Sequence, residues 1–148
     1  MGPFTITDEV LADIERHVAA HPAERGGALL DHLDLPGLIC LFIPDPSAET
    51  SPVSYIRSDH LVELVHLLEQ RSGYRYCGLV HSHPAGVESP SGPDERALEN
   101  LLDVNPRLQA VAGPIVTVGK PHLPHHLELP SGKLAFYESR RHRHAAQL

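Results

Sequence analysis

Apolar residues recur along the chain at two periods, and the alternation between them predicts most of its elements. Val10, Leu11, Ile14 and Val18 return at helical spacing, which predicts a first helix over Thr7–Ala20 with Thr5 or Thr7 as its cap. His21–Pro22 should end it, because a residue before proline avoids the helical region. Gly26–Leu33 and Leu38–Ile43 are short apolar runs parted by Asp34–Gly37, a turn-like segment holding Pro36, and read as a strand pair. Pro44–Pro52 carries three prolines, two serines and acidic residues in nine positions and reads as a loop.

Leu61, Leu64, Val65 and Leu68 share one face of a second helix over Ser58–Gly73, with Ser58 as cap and Gly73 as stop. Arg75–His83 reads as a strand. Strict alternation puts Tyr76, Gly78 and Val80 on one side and Cys77, Leu79, His81 and His83 on the other. Pro84–Gly92 is a loop, and Pro93–Val104 a third helix with Ala97, Leu98, Leu101 and Leu102 apolar. Pro93 suits a first helical turn, where its missing N–H is not needed. Ala112–Val118, Leu123–Leu129 and Leu134–Tyr137 are further strand candidates. With no repeat and no linker, residues 1–148 read as one domain. Residues 139–148, with the run Arg140–Arg141–His142–Arg143–His144, read as a flexible basic tail.

Composition narrows the function. The chain carries 12 Lys+Arg against 19 Asp+Glu, a net charge of −7, and only 5% aromatic residues with no Trp. That excludes a general nucleic-acid binder, which needs a basic face or a stacking platform. No apolar run approaches the roughly 20 residues of a membrane helix. Met1–Gly2–Pro3–Phe4–Thr5 lacks the basic start and apolar stretch of a signal peptide. Cys40 and Cys77 are too few for a disulfide scaffold and read as reduced thiols of a cytoplasmic protein, one disulfide being the alternative.

The 12 histidines matter only by position. In His81–Ser82–His83–Pro84, strand geometry puts both imidazoles on one face, roughly 6.6 Å apart along the chain. At that separation they can converge on one metal ion. Ten residues separate His83 from Asp94, enough for a loop to turn back and present a carboxylate from the first turn of the next helix. Zinc accepts two His and one carboxylate, and that set leaves a fourth position open for water, the mark of a catalytic site. Packing or chance also produces a lone His-x-His. Asp94 could merely serve the helix dipole, Ser91 could cap the helix, and Glu88 is a rival carboxylate. His122, His125 and His126 read as surface or strand residues, and Cys77 as a small core residue, since a thiolate ligand would close the site.

His-Ser-His-Pro, followed by Ser91–Gly92–Pro93–Asp94, resembles the signature of the JAMM/MPN (JAB-domain) zinc metalloproteases. Pro22–Ala23–Glu24–Arg25–Gly26–Gly27 is similar to that family's upstream glutamate before an apolar strand. The resemblance spans about Ile6 to Tyr137. It implies a mixed α/β, α+β-like fold: a curved, mostly antiparallel β-sheet flanked by helices, of cytidine-deaminase-like MPN/JAB architecture, with the site at the sheet's edge. It implies one Zn²⁺ held by His81, His83 and Asp94, Glu24 as general base, and Ser91 as donor to the oxyanion. Ser82 would support the loop or a ligand histidine.

Relatives of this kind cleave after the C-terminal glycine of ubiquitin-like proteins, and some have lost their ligands and act as scaffolds. At 148 residues the chain looks like a compact, prokaryotic-type member with no room for large insertions; the RadC-like branch shares only His83–Pro84–Ala85–Gly86. The implied partner is a ubiquitin-like or sulfur-carrier protein whose glycine tail adds as a strand to a sheet edge, with E1- or E2-like neighbours in the pathway. A catalytically silent MPN-type binding scaffold and an unrelated metal-binding or nuclease-like protein are the competing classes. The intact signature argues against the first, and the acidic balance against the second.

Overall fold

A computed structural model describes residues 4–20, 25–45, 49–51, 54–56, 59–83, 92–106, 108–117 and 126–140. After the short strand β1 (Thr5–Ile6), the Thr7 hydroxyl accepts the Val10 N–H at 3.2 Å and caps helix α1 (Asp8–Ile14). The helix continues as a π-helical turn, Glu15–Ala19, so the predicted single helix is two geometries end to end. Two contacts from Glu15 to Ser131, at 2.8 and 2.6 Å, tie this turn to the far side of the fold.

Strands β2 (Gly26–His32), β3 (Leu38–Ile39) and β4 (Leu41–Pro44) follow, with β2 antiparallel to β4 as the strand pair predicts. Cys40 interrupts the second run, and β3 pairs instead with β1. The loop expected over Pro44–Pro52 is in part a hairpin: β5 (Glu49–Ser51) pairs with β6 (Ser54–Ile56). Helix α2 (Asp59–Ser72) ends at Gly73, whose φ of 73° only glycine adopts freely. Strand β7 (Tyr74–Ser82) and helix α3 (Gly92–Val104) come next.

The strand predicted over Ala112–Val118 is instead two, β8 (Ala110–Ala112) and β9 (Ile115–Thr117). Gly113 and Pro114 break it. Gly113 donates to the Tyr137 carbonyl at 2.7 Å and lies so near α3 that a Cβ would stand 2.5 Å from Leu98. Strands β10 (His126–Leu129), β11 (Gly132–Ala135) and β12 (Glu138–Arg140) close the fold. β12 pairs with β8, so Ser139 and Arg140, expected in the tail, belong to the sheet; residues 141–148 lie outside the described residues.

The main sheet runs β10-β11-β9-β7-β2-β4, with β8 joining β7 and β12. Its pairings are antiparallel except where β8 and β9 meet β7, so the mixed, mostly antiparallel expectation holds. Both faces are covered. On one, Val10, Ile14 and Val18 pack against Leu29 and Val80; on the other, Leu61, Val65, Leu98 and Leu101 pack against Ala28, Leu30 and Leu79. That is why β2 is buried at nearly every position.

One prediction for β7 fails for a local reason. Its register with β2 steps from Leu29↔Gly78 to Leu30↔Tyr76, leaving Cys77 as the extra residue of a bulge. The alternation resets there. Tyr76 joins Leu79 in the second cluster, and Cys77 joins Val80 in the first. Cys77 is fully buried, as a core residue should be, but it does not share the face of Leu79 and His81.

Candidate metal centre

The sequence places two histidines at the end of β7, and the neighbouring strands fix them there. The His81 and His83 N–H groups donate to the carbonyls of Pro114 (3.4 Å) and Val116 (2.9 Å) on the β9 side. Between them, Ser82 turns the other way: its N–H donates to the Arg25 carbonyl at 2.9 Å, and its Oγ accepts the Arg25 N–H at 3.0 Å. His81 also stands in register with Gly26 on one side and Ile115 on the other. β7 is therefore an interior strand. The site lies at its C-terminal end, where the ladders to β2 and β9 run out at Gly26↔His81 and Ser82↔Val116.

Helix α3 supplies the third group. Asp94 sits in its first turn, and its carboxylate reaches both rings: Oδ1 lies 3.2 Å from His81 Nε2, and Oδ2 lies 3.1 Å from His83 Nε2. The two Nε2 atoms are 2.8 Å apart, with the rings inclined at 64°. His81, His83 and Asp94 side chains are 14%, 6% and 23% exposed. Among the described residues this is the only group of three or more such side chains with converging ligand atoms.

With Asp94 ionised, no placement of ring protons matches all three of these contacts at once. Each Nε2 holds at most one hydrogen. If both are protonated, both can donate to Asp94, but two N–H groups then face each other across 2.8 Å. If one is protonated, a remaining contact sets lone pair against lone pair. A single cation satisfies all three contacts. Donor separations of 2.8–3.2 Å are near the roughly 3.3 Å that a tetrahedral ion with 2.0–2.1 Å bonds imposes. Two imidazole nitrogens and one carboxylate fit zinc in chemistry as well as spacing. His83 Nδ1 is buried with no hydrogen-bond partner among the described residues, on a ring whose other nitrogen faces the cluster.

Glu24 and Ser91, expected as base and oxyanion donor, lie outside the described residues, as do Glu88, His122 and His125. Arg25, the next residue in sequence after Glu24, is held at Ser82. His126 is on β10, exposed, and 3.4 Å from Glu128, a surface strand residue as read from the sequence. The Arg25–Ser82 link was the part of the site that the sequence concealed, since it joins residues 57 positions apart.

The family model Prok-JAB, described as prokaryotic homologs of the JAB domain, matches residues 7–127. No curated protein matches the chain. The fold is similar to the solution structure of protein DSY2949 from Desulfitobacterium hafniense, with a TM-score of 0.56 at 22% identity over 93% of this chain and 90% of that one. AF2198, a JAB1/MPN domain protein from Archaeoglobus fulgidus, matches with a TM-score of 0.40 at 23% identity, over 77% of this chain and 76% of that one.

Proposed function

The chain belongs to the prokaryotic homologs of the JAB domain, and on that premise we propose that it is a zinc-dependent peptidase or isopeptidase acting on a ubiquitin-like or sulfur-carrier protein. The convergence of His81, His83 and Asp94 carries this reading.

Zinc held by these groups would supply Lewis acidity, lowering the pKa of a water toward 7 and polarising a carbonyl. Glu24 accepts the proton of the attacking water and later delivers it to the leaving amine. Ser91 donates a hydrogen bond to the developing oxyanion, an effect worth about 3 kcal/mol. His81 and His83 offer their Nε2 atoms, their backbones held by bonds to the Pro114 and Val116 carbonyls. The cluster lies at the C-terminal end of β7 and is only slightly exposed, so a slim chain terminus fits it better than the middle of a folded domain. Small residues before the scissile bond suit that approach, so cleavage falls after a C-terminal glycine. The partner leaves intact, freed from an amine or a C-terminal extension.

The experiment is incubation with fusions of candidate ubiquitin-like proteins, with and without chelator, beside Glu24→Gln. Cleavage after the glycine that stops on chelation and in Glu24→Gln supports the proposal. Cleavage elsewhere, or cleavage that survives removal of all metal, refutes it. Tight binding of the partner without cleavage by the metal-loaded chain favours a binding scaffold.

A further inference from the structure

The geometry points to the groove between α2 and α3 as a docking site for a partner polypeptide, anchored there by a lysine side chain of that partner. The inference is independent of the peptidase reading. Asn100 and Val104, which line the groove, follow Asp94 by roughly 9 and 15 Å along the α3 axis. The groove holds a cavity of about 320 Å³. Val65, Leu101 and Tyr76 line it and are almost wholly buried, with Val62 beside them. Val104 also lines it, at the end of α3, and is 74% exposed. The groove is therefore apolar inside and open along one side, a shape that takes a hydrocarbon stem with chain continuing over the rim.

Its polar groups suit a cation. The Glu69 side chain is 26% exposed and turns toward the sheet, where Oε2 accepts the Tyr76 N–H at 3.4 Å. A carboxylate accepts up to about four hydrogen bonds, so this one long bond uses little of its capacity. The C-terminal end of α3, where the helix dipole is negative, meets the same groove at Val104 and Asn105. The last turn of α3 carries no basic residue to offset it, and among the described residues no lysine or arginine lines the cavity. His66 Nδ1 lies 3.6 Å from Glu69 Oε1, but that imidazole is 70% exposed and sits at the mouth. A lysine side chain matches what is left: its stem lies against Val62, Val65 and Leu101, and its compact ammonium reaches Glu69. A free amine would leave Val104 in water. A polypeptide covers it, and the exposed Asn100 amide on the same rim bonds its backbone.

The test titrates the full chain with the peptide acetyl-Ala-Lys-Leu-Ala-amide and follows backbone amide resonances. Those of Val62, His66, Glu69, Asn100 and Val104 shift together and saturate at about millimolar peptide, as one anchored side chain allows. Norleucine in place of the peptide's lysine keeps the stem and removes the charge, and binding weakens about 10-fold or more. Glu69→Gln has the same effect. Its amide oxygen still accepts the Tyr76 N–H, so the variant keeps its fold. Val104→Ser weakens the peptide about 3-fold through lost apolar contact. Butylamine alone binds about 10-fold more weakly than the peptide. Equal binding of the norleucine peptide, unchanged binding by Glu69→Gln, or groove shifts that are absent or never saturate each overturn the inference. Butylamine binding as tightly as the peptide would mark a site for small amines and overturn the polypeptide partner.

Discussion

Replacing Asp31 by alanine should destabilise the fold strongly while leaving the His81–His83–Asp94 cluster in place. Asp31 is 1% exposed and lies on β2, facing Arg75 at the start of β7. Its oxygens accept from Arg75 Nε at 2.9 Å, from Arg75 Nη2 at 2.6 Å and from the Gly37 N–H at 2.8 Å. The pair clamps β2 to β7 at the end opposite the histidines, and the third bond closes the turn before β3. Removing one partner of a buried, bidentate pair leaves the other charge uncompensated, at a cost of about 3–5 kcal/mol. At about 2–4 °C per kcal/mol for a chain of this size, thermal unfolding should fall by roughly 6–20 °C. The hydrogen bonds to Asp31 hold the Arg75 guanidinium above its ordinary pKa. Stability from that raised value is complete below about pH 12 and is lost only above it, so Arg75 adds no slope between pH 6 and 10. The assay is calorimetry of wild type, Asp31→Ala and the double variant Asp31→Leu/Arg75→Met. The double variant should recover much of the loss, because two apolar groups replace a pair that was costly to desolvate. Asp31→Ala melting within about 2 °C of wild type would refute the reasoning.

Burial raises the Cys77 thiol pKa, with the Asp31 charge adding to it, and raises Cys40 for the same reasons. Thiol reagents at pH 7–8 should therefore leave Cys77 unmodified in the native protein and label it only on unfolding; rapid native labelling would contradict its burial. The unfolded thiol ionises above about pH 8.5 while Cys77 stays protonated, so this contribution is complete below that pH and declines as pH rises further, visible as a falling melting temperature against Cys77→Ala. Gly73→Ala should cost about 1–2 kcal/mol in chemical denaturation, because φ is 73° and the new Cβ would meet His32 Nε2 at 2.9 Å; an unchanged midpoint would count against that geometry. Thr7→Ala should cost about 1 kcal/mol by the same measurement, through loss of the cap at Val10.

Local signals carried well from sequence to structure. The cap at Thr7, the stop at Gly73 and the helix starting at Gly92 each express a backbone preference of one residue or its neighbour. The convergence of His81, His83 and Asp94 was legible because strand and helix geometry allow their spacing to become proximity and because the motif resembles the JAMM/MPN signature. What depended on distant partners was not legible. The bulge at Cys77 comes from the match of β7 to β2, and it moved Cys77 off the His81 face. The break at Gly113 needs the approach of Leu98 from α3. β5 and β6 are three-residue strands of mostly polar sequence, too short for alternation to register, and β12 exists only because β8 offers it a partner. The interior position of β7 follows from β9 pairing beside it, a contact made across more than 30 residues of chain.

The account rests on one metal ion bound by His81, His83 and Asp94, and elemental analysis of the purified chain after equilibration with zinc tests it most directly. The prediction is close to one zinc per chain in wild type and in Glu24→Gln, and almost none in His83→Ala or Asp94→Ala that remain folded. No bound metal in the wild-type chain under zinc-replete conditions, or an unchanged stoichiometry in both ligand variants, would contradict it.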